Sequence, residues 1–104
     1  MSGSVGRMLR HVVMMRLTDE ATEADRAAIV DGLRALPDLI PEIRSYSVGT
    51  DAGLAEGNFE LVVVGDFDDD EGYTAYATNA DHQAVIALRI RPFLAERAAV
   101  QYRT

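Results

Sequence analysis

The side chains in this sequence best suited to acid–base chemistry are two histidines and four tyrosines, and two of them, Tyr76 and His82, stand six residues apart. An imidazole with an ordinary pKa of about 6.5 can take a proton α to a carbonyl near neutral pH. A phenol beside it can stabilise the enolate or orient the base. Such a pair suits cyclisation, isomerisation or decarboxylation without a metal. On an unbroken helix six residues correspond to about 240°, so the two side chains meet only if the helix bends between them. Asn79-Ala80-Asp81 places residue types that favour caps and turns at that point. The structural alternative is that Tyr76 packs its ring in the core with its hydroxyl at the rim, while His82 is a first-turn helical residue. His11 is the third candidate. It shares one face of an apolar segment with Val13 and Met15, where a histidine serves either in catalysis or as a hydrogen-bonded core residue.

Other chemistries are poorly supplied. The chain has no cysteine, so thiolate nucleophiles, disulfides and Cys-ligated metals are excluded. All ten basic residues are arginine, which removes Schiff-base chemistry from a side-chain amine. Two histidines far apart are too few for a conventional structural metal site, and no cofactor is implied. Asp66, Asp68, Asp69, Asp70 and Glu71 match no EF-hand spacing; they suit the start of a helix, where carboxylates meet its positive end. A net charge of −7 argues against nucleic acid and anionic membranes as partners. No apolar run approaches the roughly 20 residues of a membrane span. The opening MSGSVGRMLRH lacks the apolar core of a signal peptide, so a cytoplasmic location is expected.

The elements that must position these residues follow from hydrophobic period. With 104 residues, 48% of them hydrophobic, the chain suits one domain around one core. Residues 1–7 are small and polar and are expected to be a disordered leader to a domain spanning 8–104. Leu9 to Leu17 alternates as a first strand. Thr22 and Asp25 resemble a capping box opening a helix over about 22–36, with Ile29, Val30, Leu33 and Leu36 on one face and an end near Pro37 and Pro41. Residues 43–50 form a second strand and 59–67 a central one, with Phe59, Leu61, Val63 and Phe67 on one face. A helix runs from the acidic triplet through Tyr73, Tyr76 and Ala77, is interrupted at 79–81, and resumes from His82 to Leu88. Pro92 opens a short turn, and residues 98–103 form the last strand.

The order β-α-β-β-α-β is the ferredoxin-like arrangement, an α+β fold whose four-stranded antiparallel sheet carries its helices on one side. The other sheet face then holds Val12, Met14, Val62 and Val64 among Arg10, Arg16, Glu60 and Asp66. It is too apolar to leave in water and too charged for an ordinary core, which predicts pairing with a second copy, charges toward the rim.

These features resemble the stress-responsive A/B barrel, or Dabb, family within the dimeric α+β barrel superfamily. The resemblance rests on LRHVVMMRL with its histidine at the third place, on Thr18-Asp19-Glu20, on Ile40-Pro41 followed by Gly49, on FELVVVGDF and on Tyr76-x5-His82. It implies a homodimer whose two sheets form a barrel, with a cavity between sheet and helices in each protomer. Some members, similar to olivetolic acid cyclase, use a His and a Tyr for a cofactor-free aldol condensation. Those positions match His82 and Tyr76, and the family histidine on the first strand matches His11. Here the His-Pro-x-His stretch of such cyclases reads Asn79-Ala80-Asp81-His82, and their first-helix tyrosine falls at Leu33.

Three functions stay open at this level. The first is a homodimeric barrel that binds a small, largely apolar molecule, with Val13, Met15, Ile29, Leu33, Val63 and Tyr73 as the expected wall. The second is a cofactor-independent polyketide cyclase or isomerase with His82 as base and Tyr76 as its partner. The third is a structural oligomer.

Overall fold

A computed structural model describes residues 7–104. Strand β1 spans Leu9–Leu17 and ends before Thr22, which caps helix α1, Glu23–Arg34. The capping box is complete, since the Thr22 hydroxyl accepts from the Asp25 amide and the Asp25 carboxylate accepts from the Thr22 amide. Helix α2, Leu36–Leu39, follows at once, then β2, Ser45–Thr50, and β3, Leu61–Phe67. Helix α3, Asp70–Thr78, starts at Asp69, whose carboxylate accepts from the Gly72 amide at 2.8 Å. Helix α4, Ala80–Val85, leads through a π-helical turn, Ile86–Ile90, and a 3₁₀ turn, Arg91–Phe93, into β4, Leu94–Arg103.

The strands form one antiparallel sheet in the order β2-β3-β1-β4. Alternation sorts its residues to two faces. Toward the helices point Val13, Met15, Leu17, Leu61, Val63 and Phe67, which close on Ile29, Leu33, Leu36 and Ile40. Phe67, Ile29, Leu36 and Ile40 are fully enclosed. Each such side chain contributes roughly 1.5–3 kcal/mol by leaving water.

The opposite face is bare. Its central row is Ser47, Val64, Val12 and Val100, one residue from each strand, and the next is Gly49, Val62, Met14 and Ala98. Ion pairs bracket these rows: Arg10 binds Asp66 through two bonds of 2.8 and 2.9 Å, and Arg16 binds Glu96 at 2.9 Å. Ser45 adds its hydroxyl to Asp66 at 2.7 Å, and Arg10 with Ser45 holds the Asp66 carboxyl below its usual pKa against the effect of burial.

The fold matches the expected α+β, ferredoxin-like architecture, and its departures are local. Pro37 does not end the helical region; it occupies the first turn of α2, where a missing amide costs nothing. The second strand starts at Ser45 because Ile43 is held in a turn, its amide donating a hydrogen bond to the Ile40 carbonyl at 3.2 Å. The third starts at Leu61, and Phe59 lies beyond it with the Arg16 guanidinium 4.5 Å above its ring. Strand β4 begins four residues earlier than alternation suggests, because it pairs with β1 along its whole length, from Leu17–Leu94 to Leu9–Arg103. The segment 94–97 is an edge with a solvated side, so its pattern is weak. The expected 1–7 leader falls on residues 1–6, outside the described residues, and on Arg7, which precedes β1 without regular structure.

Candidate active site

A cavity of about 260 Å³ opens between the inner sheet face and the α3–α4 region. One row across the sheet supports its histidine end: Tyr46, Gly65, His11 and Gln101, contributed by β2, β3, β1 and β4 in turn, of which His11 lines the cavity. Gly65 matters there because it has no side chain: a Cβ would lie 3.2 Å from the Tyr46 ring and 3.4 Å from Phe67. The gap lets Tyr46 lie over β3 and bring its hydroxyl to 2.8 Å from that of Tyr76.

The helix bends where the sequence placed a bend. Asn79 ends α3 in an extended conformation and also caps α4, its side chain accepting from the amides of Asp81 and His82 at 2.8 and 3.3 Å. This break undoes the 240° separation and sets the Tyr76 and His82 rings 4.1 Å apart, tilted by 33°. Tyr76 also packs on Phe67 at 5.0 Å, and His11 on Tyr73 at 4.9 Å. The π-helical turn carries Ile86 and Ile90 to the cavity wall.

Hydrogen bonds fix the tautomers of both imidazoles. The Ala77 carbonyl can only accept, so His82 Nδ1, 3.3 Å away, carries the proton and Nε2 keeps its lone pair. Gln101 Nε2 donates to His11 Nδ1 at 2.7 Å, which places the proton of His11 on Nε2. One ring is thereby arranged as an acceptor and the other as a donor. Burial first, then the nearby Arg97 charge, push the His11 pKa down to about 4. His82 is also lowered, chiefly by burial. Burial raises Tyr76 and Tyr46, so both hydroxyls stay neutral.

These values carry a stability prediction. A histidine whose folded pKa lies below its unfolded value contributes stability that is complete above about pH 6.5 and is lost as pH falls toward 4, because the unfolded chain binds the extra proton. His11 is 4% exposed, so its protonation is expected to cost on the order of 2–3 kcal/mol across that window, with His82 adding in the same sense. Urea unfolding at pH 7.0 and 4.5 would measure it. Equal midpoints would mean that the imidazoles are solvated.

The structure brings His11, Tyr76, His82, Val13, Met15, Leu33, Val63 and Tyr73 around one space. Ile29 is the exception: it is enclosed in the core and does not line the cavity, while Leu33, one helical turn on, does. Sequence alone leaves Tyr46 as a cross-strand packing residue, and it overlooks Gln101, Arg97, Gln83 and the π-turn isoleucines. The lone glycine inside an apolar strand was the available signal for Tyr46. A wider depression beside α1, lined by Glu23, Arg26, Asp31, Arg34, Asp51 and Glu60 among others, is open and holds none of the candidate residues. Among the described residues, no group of three or more His, Asp or Glu side chains is placed to hold a metal ion. Nor is any helix among them long and apolar enough to cross a membrane.

The sequence pattern of the stress-responsive A/B barrel domain matches residues 9–104. The chain belongs to the stress-responsive A/B barrel domain family. No curated protein gives a significant match to it. Among solved structures, this barrel domain is similar to a dimeric ferredoxin-like protein of unknown function from Thermobifida fusca YX, 39% identical, with a TM-score of 0.87 over 95% of this chain and 92% of that one. It also shares its fold with a Dabb family protein from Mesorhizobium loti, 18% identical, TM-score 0.77, covering 92% and 95% of the two chains. A hydroxynitrile lyase from Passiflora edulis has the same fold at 17% identity, TM-score 0.81, with 93% of each chain covered.

Proposed function

We propose that this barrel domain is a homodimer that binds a small, largely apolar carbonyl compound between sheet and helices and moves a proton on it without a cofactor. The observation that carries the reading is the meeting of Tyr76 and His82 in one cavity, with His82 Nε2 unprotonated and the ring favoured neutral. His82 is the base that takes a proton from the carbon next to the carbonyl. The Tyr76 hydroxyl, hydrogen-bonded to that of Tyr46, donates toward the developing enolate oxygen, and His11 Nε2–H is a second donor. Cyclisation by intramolecular aldol attack and isomerisation both begin with that step. The fold also occurs in a hydroxynitrile lyase, so it accommodates lyase chemistry in another protein. The dimer is supported by the bare apolar rows of the outer face and by the dimeric state of the Thermobifida fusca relative.

The test is deuterium exchange at the α-carbons of phenylacetone in heavy water, followed by proton NMR. Exchange faster than in buffer, first order in protein and saturable in ketone, is the expected result. If exchange stays at the buffer rate while phenylacetone still shifts the His82 ring resonances, the domain binds ligands and does not turn them over. If neither changes, a structural role for the barrel is left.

A further inference from the structure

One charged side chain lines the cavity, exposed at its rim, and it is a cation. The chain carries 17 acidic residues against 10 basic ones, yet no carboxylate lines this space; Arg97 does. Arg97 lies on the inner face of the edge strand β4, opposite Met15, and among the described residues it makes no salt bridge and no side-chain hydrogen bond. The other arginine on the inner face of that strand, Arg103, lies opposite Leu9, away from the cavity, and is committed to Asp70 through two bonds of 2.9 and 3.2 Å. The charge of Arg97 is felt inside, because after burial it helps to lower His11 and His82 and opposes the rise that burial causes at Tyr76.

We infer that Arg97 is an anchor for the carboxylate of the ligand, so that the substrates of this domain are small carboxylic acids with an apolar body and the reacting carbonyl at the far end. This rests on the cavity being a ligand site, and it names the class of ligand. A guanidinium offers a planar fork that matches a carboxylate through two parallel bonds. Arg97 and Gln101 are four residues apart on β4, about 13 Å along the strand, which separates the anchor from the His11 row by the length of a short apolar spacer. The walls over that distance are Val13, Leu33, Val63 and Ile90, with Leu94 beside the anchor. The cavity is smaller than the roughly 300–1,000 Å³ typical of ligand pockets, so the apolar body is short, about one ring or a few methylenes.

The test uses 3-phenylpropanoate and its neutral amide, 3-phenylpropanamide, titrated into the full-length protein while the His82 and His11 ring protons are followed by NMR. The acid is expected to bind at least about tenfold more tightly than the amide, as a charge-assisted pair requires. R97L should bring the ratio near one, chiefly by weakening the acid, and R97K should restore part of the preference. Equal affinities of acid and amide for the wild-type protein, or a preference that survives in R97L, would overturn the anchor while leaving the cavity as a ligand site. Failure of both probes to move the histidine resonances would overturn the anchor together with the ligand site itself.

Discussion

His82→Ala is expected to lower the protein-catalysed exchange of phenylacetone by about 10²- to 10⁴-fold, the usual worth of a positioned general base. The loss should fall on kcat, because the ring moves the proton and contributes little to holding an apolar ketone. Folding should survive the change: His82 is partly exposed, and the Asn79 side chain that caps α4 is untouched. A far-ultraviolet spectrum and an unfolding midpoint close to wild type provide that control. The wild-type rate should also fall at acidic pH as His82 takes a proton, its midpoint displaced below the ordinary imidazole value by burial. Undiminished turnover in the alanine variant would move the base elsewhere, and with the proton of His11 on Nε2 no other imidazole in the cavity is arranged to accept.

Val12→Glu should convert the proposed dimer to monomer. Val12 sits in the middle of the apolar row between Val64 and Val100, and two-fold symmetry places two such side chains at the centre of one interface. Each added carboxylate would be buried without a partner, at a cost of several kcal/mol per ion, and the nearby arginines are committed, Arg10 to Asp66 and Arg16 to Glu96. Within the protomer Val12 is only half-buried and belongs to no core cluster, so the variant should remain folded. Sedimentation equilibrium of the two proteins decides the matter. A wild-type monomer, or a V12E protein that remains dimeric, would refute pairing through this face.

Much of the architecture was legible because strong period and strong punctuation coincided. Leu9 to Leu17 alternates without a break, and Thr22 with Asp25 announces a helix start in two residues. The face predicted from Val12, Met14, Val62 and Val64 is the face found bare. The kink at Asn79 was visible for a similar reason, since an amide side chain can serve both the end of one helix and the start of the next. What local pattern could not give was pairing across the sheet. Tyr46 reaches Tyr76 only because Gly65 lies between them, and that depends on the register of β2 against β3. Gln101 and Arg97 belong to the site by their pairing with His11 and Met15, and on an exposed edge strand their spacing looks like solvated surface. Ile29 was placed in the wall because it shares a helical stripe with Leu33, but a stripe crosses the boundary between the core and the cavity.

The transverse row Tyr46-Gly65-His11-Gln101 has a neighbour one residue away along each strand, the row Ser47-Val64-Val12-Val100. In the proposed reading, odd and even positions of β1 serve two different tasks, proton handling on one side and self-recognition on the other. A single-residue insertion in β1 that is not absorbed as a bulge would exchange the faces of the residues on one side of it, turning His11 out to the bare face and a valine in toward the cavity. Length changes in this strand therefore keep the two faces in phase only when they come in pairs or are taken up by a bulge, as happens against β4 between Arg16 and Leu17.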